Sequence, residues 1–352
     1  MNITDNVKDY YGNVLQTSND LKTNACCTIT QYPKNIKKLM LNVNEVVRNT
    51  YYGCGLVIPD CLEDCNIVDL GCGTGLDVYI LSQLVGENGY ITGIDMTPNQ
   101  IKIAEEWKEW HKNKFNFTKS NVSFILDYIE NLENLDIEEN SIDVIVSNCV
   151  INLCQDKDKV LKQVYNLLKK GGEFYFSDVY SSKRIPDSLR NDKILWGECL
   201  SGALYWNDFI NLCRKIGFSD IRMVKSNKIT INNKELENQV DDINFFSVTY
   251  RLFKLDLEND CEDYGQEVIY KGTIDNYNEY WDLDNHHRFY TNKNHKVCGN
   301  TWKMLHDTRF KQHFEFIGNF DIHYGIFEGC GKELPFNDNC NDNKCNISNK
   351  CC

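Results

Sequence analysis

Apolar and polar positions follow two alternating rhythms along the middle of this chain. Asn66 to Leu70 is a short apolar run, and a Gly-rich turn, Gly71 to Gly75, follows it. Leu76 to Leu84 then has helical apolar spacing, and Tyr90 to Ile94 is a second strand-like run ending in Asp95. Thr97-Pro98 predicts an N-cap and a first-turn proline for a helix running through Trp107 and Trp110. Val122 to Leu126 and Ile142 to Val146 predict the third and fourth strands. Lys157 to Leu168 predicts a helix with Lys169-Lys170 as its cationic last turn and Gly171-Gly172 beyond. Glu173 to Phe176 is the fifth strand. This strand–helix alternation predicts an α/β fold: a doubly wound, mostly parallel sheet with helices on both faces.

The flanking regions break the rhythm. A helix is expected from Pro33 to about Asn49, then a turn with Gly53 and Gly55 around Cys54. Ser181 to Gly202 is an insertion carrying Cys199; a helix from Trp206 to Ile216, closed by Gly217, restores the pattern. Phe245 to Leu255 reads as a late strand. Beyond Asp256 the chain is polar, Asn-rich and aromatic, with one short strand at Val268-Ile269-Tyr270. The expected organisation is an N-terminal helical segment at 1–65, a cofactor domain at 66–255, a small, weakly specified C-terminal domain at 256–328 and a flexible Cys-rich tail at 329–352.

Composition narrows the function classes. A chain of 352 residues with 51 acidic and 38 basic groups has a net charge of −13. Without a dense Lys/Arg stripe, that balance argues against nucleic acid or an anionic membrane as partner. No apolar run approaches the ~18 residues of a membrane span. The polar stretch from Met1 to Asp20 lacks the apolar core of a secretory signal, so a cytoplasmic location is expected. Seventeen cysteines then call for another explanation than a secreted disulfide framework. They are either small buried hydrophobes or, in part, ligands for a soft ion, and the count does not separate the two.

The segment Asp69-Leu70-Gly71-Cys72-Gly73-Thr74-Gly75 lies between a predicted strand and a predicted helix. Glycines there let the chain turn tightly and let a ligand lie against backbone N–H groups. The spacing G-x-G-x-G departs from the G-x-G-x-x-G of dinucleotide enzymes. It resembles motif I of class I S-adenosylmethionine methyltransferases, which implies S-adenosylmethionine as cofactor. The resemblance assigns the acidic residue and loop, Asp69, Gly71, Cys72, Gly73 and Gly75, to the methionine end. Asp95 suits the ribose hydroxyls, Met96 the adenine face, and Ile129 and Glu130, in Asp127-Tyr128-Ile129-Glu130, the adenine edge. Gln100, on the helix after Asp95, and Asn148, at the end of the fourth strand, complete the expected contacts. Cys72 reads equally as a passive small residue. The competing reading of the glycines is a purely structural turn.

The methyl acceptor must be argued from other residues, because this fold hosts many acceptors. Cys149 follows the fourth strand, Cys199 lies in the insertion and Cys54 in the Gly-flanked turn. Three thiolates from three segments form a soft site. They do not pair with one another at the close C-x₂₋₄-C spacing of structural zinc, a local spacing that Cys61-x₃-Cys65 has.

The segments Tyr51-Tyr52-Gly53-Cys54-Gly55-Leu56-Val57-Ile58-Pro59, Gly93-Ile94-Asp95-Met96-Thr97, Val146-Ser147-Asn148-Cys149-Val150-Ile151-Asn152-Leu153, Phe176-Ser177-Asp178-Val179-Tyr180 and Leu195-Trp196-Gly197-Glu198-Cys199-Leu200 closely resemble the arsenite methyltransferase family. The likeness is strong over 22–255 and weaker beyond. It implies that Cys54, Cys149 and Cys199 hold trivalent arsenic, the substrate, and that Cys26 is a redox cysteine. Cys26 is taken over Cys27 because it follows Thr23-Asn24-Ala25, as in the family. No resident metal is implied. Arsenite or its glutathione conjugates would be the acceptor, thioredoxin or glutathione the reductant, and a Cys26–Cys54 disulfide the first oxidised product. A monomer is expected.

Other residues carry open alternatives. Tyr52 is either an aromatic face for the sulfonium or a turn aromatic, and Glu198 either a site acid or a solvated carboxylate. Trp196 and Trp206 read as core, and Cys61, Cys65, Cys154 and Cys213 as structural. The cluster Cys330, Cys340, Cys345, Cys351 and Cys352 reads either as an ordinary tail or as a soft-metal trap. His286, His287 and Cys298 match no ligand spacing. Two rival functions remain: a methyltransferase for a small organic acceptor such as a sterol or quinone, and a protein that sequesters a soft metal without methyl transfer.

Overall fold

A computed structural model describes residues 33–50, 56–190, 195–196, 199–231 and 233–330. Its largest sheet contains β1 (Asn66–Leu70), β2 (Tyr90–Asp95), β3 (Val122–Leu126), β4 (Ile142–Asn148), β5 (Leu168–Ser181), β6 (Leu204–Tyr205), β7 (Ile221–Lys228) and β8 (Phe245–Phe253). The strand order is β3-β2-β1-β4-β5-β8-β7, with β6 on the far end of β5. Strands β1 to β5 pair in parallel, whereas β8 runs antiparallel to both β5 and β7. The order reverses between β1 and β4, so ligands are expected above their carboxyl ends.

Two apolar clusters cover the two faces of this sheet. Ile67, Val144 and Val146 pack in one cluster, and Val68, Leu70 and Ile145 in the other. That is the period-2 alternation of a strand buried on both sides. On the first face lie α1 (Lys34–Leu41), α2 (Glu45–Asn49) and α3 (Leu76–Val85), followed in the chain by α4 (Pro98–Glu106) and α5 (Lys108–Lys114). The second face carries α6 (Lys157–Leu167) and α7 (Trp206–Ile216).

Three elements differ from the expectation. The helix read from Pro33 to Asn49 is two helices, because Asn44 leaves the helix and caps the second one, its side chain accepting from Val46 N. The helix through Trp110 breaks at Trp107, whose carbonyl meets Nδ1 of the buried His111 at 2.8 Å. Lys169-Lys170-Gly171-Gly172 is not a helix end but the start of β5. Lys169 Nζ meets Asp143 at 2.9 Å, and Gly171 and Gly172 exchange 2.9 Å backbone bonds with Lys254. Gly171 has φ +83°, and a Cβ there would stand 2.3 Å from the Asp307 carbonyl oxygen, so the close approach of that chain requires glycine.

The region after Asp256 is better specified than its polar sequence suggests. Gln266–Tyr270 is the central strand of an antiparallel sheet between Asn294–Val297 and Phe314–Ile317, with helix Gly299–His306 against it. Trp281, Phe289, Phe310 and Phe314 form its core. The aromatic residues are spaced irregularly because they come from ribbons and turns, which have no single period to read.

Buried charge joins this region to the large sheet. Glu173 on β5 is fully buried between Arg251 of β8 and Arg309. Arg251 Nη1 also donates to Leu283 O at 2.8 Å, and Asp60 accepts from Trp281 Nε1 at 3.0 Å. A buried carboxylate flanked by two guanidiniums tolerates the loss of its charge poorly, because the cations stay behind unpaired. Glu173→Gln is therefore expected to destabilise the protein by about 3–5 kcal/mol, read as a drop in the urea-unfolding midpoint.

Candidate active site

The site forms where β1, β2 and β4 end. Gly71 and Cys72 both donate their N–H groups to Ile94 O, at 2.8 and 3.0 Å, which turns the chain sharply after β1. Gly71 has φ +76°, and a Cβ there would stand 2.3 Å from Val150 Cγ2. Gly75 has φ +86° and starts α3. The turn borders a cavity walled by Asp69, Gly71, Cys72, Gly73, Thr74 and Asp77 on one side and by Asp95, Met96, Thr97, Gln100, Ile129 and Glu130 on another. Asn148, Cys149, Val150, Leu153 and Cys154 close it from the end of β4.

Most of the expected cofactor residues thus meet around one cavity. Gly75 does not line it; its missing Cβ instead makes room for Phe124 and Tyr79 beneath the helix. Asp127 and Tyr128 also stand off the lining, which their neighbours Ile129 and Glu130 reach. Tyr52, Cys26 and Cys54 lie outside the described residues, as do Glu198 and the tail cysteines Cys340, Cys345, Cys351 and Cys352.

Three carboxylates give the cavity its electrostatic character. Asp95 accepts from Gly73 N at 3.0 Å and from Thr97 N at 2.8 Å, and burial still raises its pKa. Burial and the charges of Asp77 and Asp95 push Asp69 well above the usual carboxylate range. Asp77 is raised to about 7, chiefly by burial, against a 3.4 Å bond from Asn148 Nδ2. Buried anions without a counter-charge favour a cationic ligand group. Asp77 Oδ1 and Gln100 Oε1 are also buried acceptors without a hydrogen-bond partner. An ammonium-bearing, sulfonium-bearing molecule with ribose hydroxyls fits those acceptors, so the residues present fit S-adenosylmethionine.

The acceptor side is built at the end of β4. Cys149 and Cys199 are fifty residues apart in sequence, yet Cys199 Sγ donates to Cys149 O at 3.4 Å. Both are buried, and both have left-handed backbone, φ +55° and +61°. Non-glycine residues rarely adopt that conformation, and such strain clusters at functional sites. Asn152 ties the turn after β4 to β5, its Nδ2 donating to Asp178 Oδ1 at 2.7 Å and to Val179 O at 2.5 Å. A Cβ on Gly202 would stand 2.1 Å from Asn152 O, so the insertion lies directly on this turn.

Sequence reasoning missed several of these residues. Lys157 Nζ donates to Cys154 O at 2.8 Å and Asn152 O at 3.2 Å and sits over the Trp196 ring. Burial lowers its pKa, opposed by the charges of Cys154, Asp178 and Cys199. Cys154, read as structural, lines the cavity, and burial raises its thiol. Asp77 and Thr74 also went unnoticed. Asp77 sits two residues beyond the last loop glycine, a spacing the motif itself could have flagged.

The fold and this cavity define a class I S-adenosylmethionine-dependent methyltransferase. A family model described as a methyltransferase domain matches residues 62–236, and one described as the arsenite methyltransferase C-terminal domain matches residues 264–333. The arsenite methyltransferase of Aquipseudomonas alcaligenes is 53% identical over 94% of this chain and 96% of its own length. The human arsenite methyltransferase is 45% identical over 96% of this chain and 87% of its own. The crystal structure of an arsenic(III) S-adenosylmethionine methyltransferase from Chlamydomonas reinhardtii superposes with a TM-score of 0.82 at 45% identity, covering 84% of this chain and all of that one. The chain belongs to the arsenite methyltransferase family. Among the described residues no helix is long and apolar enough to cross a membrane, and no group of three His, Cys, Asp or Glu is arranged to hold a metal ion.

The raised carboxyls make stability depend on pH in a definite direction. Asp77 is more easily protonated in the folded than in the unfolded chain. Its contribution is full below about pH 4 and is lost as pH rises through about 7. Asp77→Asn is expected to flatten the fall of the urea-unfolding midpoint between pH 5 and 8 in the ligand-free protein; an unchanged slope would place the titration elsewhere.

Proposed function

We propose that this protein transfers a methyl group from S-adenosylmethionine to trivalent arsenic held by Cys54, Cys149 and Cys199, giving methylated arsenicals. The observation that carries the reading is the meeting of Cys149 and Cys199 beside a cavity fitted to the methyl donor. Bound S-adenosylmethionine supplies an electrophilic methyl carbon on a sulfonium sulfur. Asp69 and Asp77 would hold its ammonium, the backbone of Gly71 and Gly73 its methionine chain, and Asp95 its ribose. Met96, Gln100, Ile129, Glu130 and Asn148 would enclose the remainder, with Tyr52 beside the sulfonium.

The thiolates hold the arsenic and aim its lone pair. Arsenic(III) with three sulfur ligands keeps that pair, so the acceptor needs no general base. Among the described residues lining the cavity there is no His–Asp pair, which suits such an acceptor. Thiolates must be deprotonated to bind, so arsenic capture releases protons. Holding donor and acceptor in one cavity supplies the proximity that drives the transfer. Attack takes arsenic towards the pentavalent state, and thiols restore the trivalent one. Cys26 with Cys54 would form the first disulfide, renewed by glutathione or thioredoxin through thiol–disulfide exchange. The enzyme would act as a monomer on arsenite or its glutathione conjugates.

The test is to incubate the purified protein with S-adenosylmethionine, arsenite and a thiol reductant, and to separate the arsenic species chromatographically. Methylated arsenic is the expected product. Its absence, with cofactor binding confirmed, would favour a small organic acceptor. Cys149→Ser and Cys199→Ser are each expected to cut methylation by about a hundredfold or more, because the nucleophile loses its anchor. Calorimetric binding of S-adenosylhomocysteine should be nearly unchanged in both variants. Normal arsenic turnover by either one would refute the thiolate model.

A further inference from the structure

Lys157 sits where a lysine is disfavoured. It opens α6, at the helix end whose dipole repels a cation, and burial lowers its pKa. Its ammonium nevertheless makes three contacts, and they reach two different segments. Nζ donates to Cys154 O at 2.8 Å and to Asn152 O at 3.2 Å, both on the turn that begins with Cys149. It also stands 5.7 Å from the centroid of the Trp196 ring, close enough for a cation–π attraction. Trp196 belongs with Cys199, whose N–H donates to Trp196 O at 2.9 Å.

The same groups meet the backbone of the insertion. A Cβ on Gly202 would stand 2.1 Å from Asn152 O and 3.6 Å from Trp196 Cζ2. The carbonyl and the ring therefore lie close together beside Gly202, with the ammonium against both. Asn152 is fixed from another direction by Asp178 on β5, which accepts from Asn152 N at 3.0 Å and from Nδ2 at 2.7 Å. The turn is thus anchored to the sheet, and Lys157 reaches from it to the insertion. Lys157 itself stands behind the cavity wall, of which Cys149 and Cys154 are part.

We infer, on the thiolate reading of this site, that Lys157 is a positioning residue for arsenic: its ammonium clips the turn bearing Cys149 to the insertion bearing Cys199 and so sets the separation of the two sulfurs. Bonds from an ammonium to a carbonyl are charge-assisted and stronger than those between neutral groups. Asn152 and Cys154 are both buried, so removing the ammonium deprives two carbonyls of a donor where water replaces it poorly. The insertion then keeps its packing on Gly202 and the 3.4 Å contact of Cys199 Sγ with Cys149 O, but loses the cation between the two segments. A displacement of about 1 Å at a reacting centre costs on the order of a hundredfold in rate, so a small shift of one sulfur is enough to matter.

Lys157→Met keeps the stem and removes the charge. Methylation by the full-length protein would be measured against each substrate in turn, and protein-bound arsenic examined by X-ray absorption at the arsenic K edge. In Lys157→Met, kcat/KM for arsenite is expected to fall about tenfold or more, with the KM for S-adenosylmethionine within about twofold of wild type. Its bound arsenic should have fewer sulfur neighbours than in the wild-type protein, with oxygen in place of the lost sulfur. Lys157→Arg keeps a cation and donors for both carbonyls and should recover most of the activity. Should Lys157→Met not fold, shown by failure to bind S-adenosylhomocysteine, Trp196→Leu tests the other arm of the clip. It is expected to lower kcat/KM for arsenite about threefold. Unchanged arsenite kinetics in Lys157→Met, or in Trp196→Leu if that variant is used, would overturn the role of Lys157 and leave the thiolate reading in place. So would a loss shared equally by both substrates, or a Lys157→Arg enzyme as impaired as Lys157→Met. Wild-type protein without sulfur-bound arsenic would instead remove the thiolate reading itself, and this role with it.

Discussion

The passage of the chain from Gly71 to Gly75 is the constraint on which the site depends. The turn runs against Ile94 on one side and Val150 on the other, and no side chain at Gly71 fits between them. Because β1 lies between β2 and β4, this single turn sets the distance between the end of β2 and the segment after β4. Asp95 ties itself to the turn through Gly73 N. The cofactor cavity and the approach to Cys149 are therefore fixed by the same backbone.

The acceptor side hangs from that frame through polar contacts rather than through packing alone. Asn152 and Asp178 link the turn after β4 to β5, and Lys157 ties down the carbonyls of Asn152 and Cys154. Asp178 is raised to about 6 by burial, and the backbone N–H groups it accepts from work against that rise. Such groups are costly to bury singly and become stable as a satisfied network. The network holds two cysteines in left-handed backbone that neither would adopt in isolation. The C-terminal region is attached by the same device on a larger scale, with Glu173 between two arginines and Arg222 between Asp220 and Asp284.

The sequence alone determined the doubly wound sheet, since each buried strand is a local apolar run and each helix a local 3.6-residue pattern. It also located the glycine turn, Asp95, Asn148 and the cysteines at strand ends, because their meaning depends on neighbours one to five residues away. It misread Lys169 to Gly172, because a helix end and a bulged strand start have the same Lys-Lys-Gly-Gly composition. Pairing with Lys254 and the approach of Asp307 decided between them. Only the tertiary structure put Cys199 against Cys149 and made Asp77 and Cys154 cavity residues. These are contacts between segments tens of residues apart. Which partners meet is decided by the packing of whole elements, and the local pattern of side chains carries no record of it.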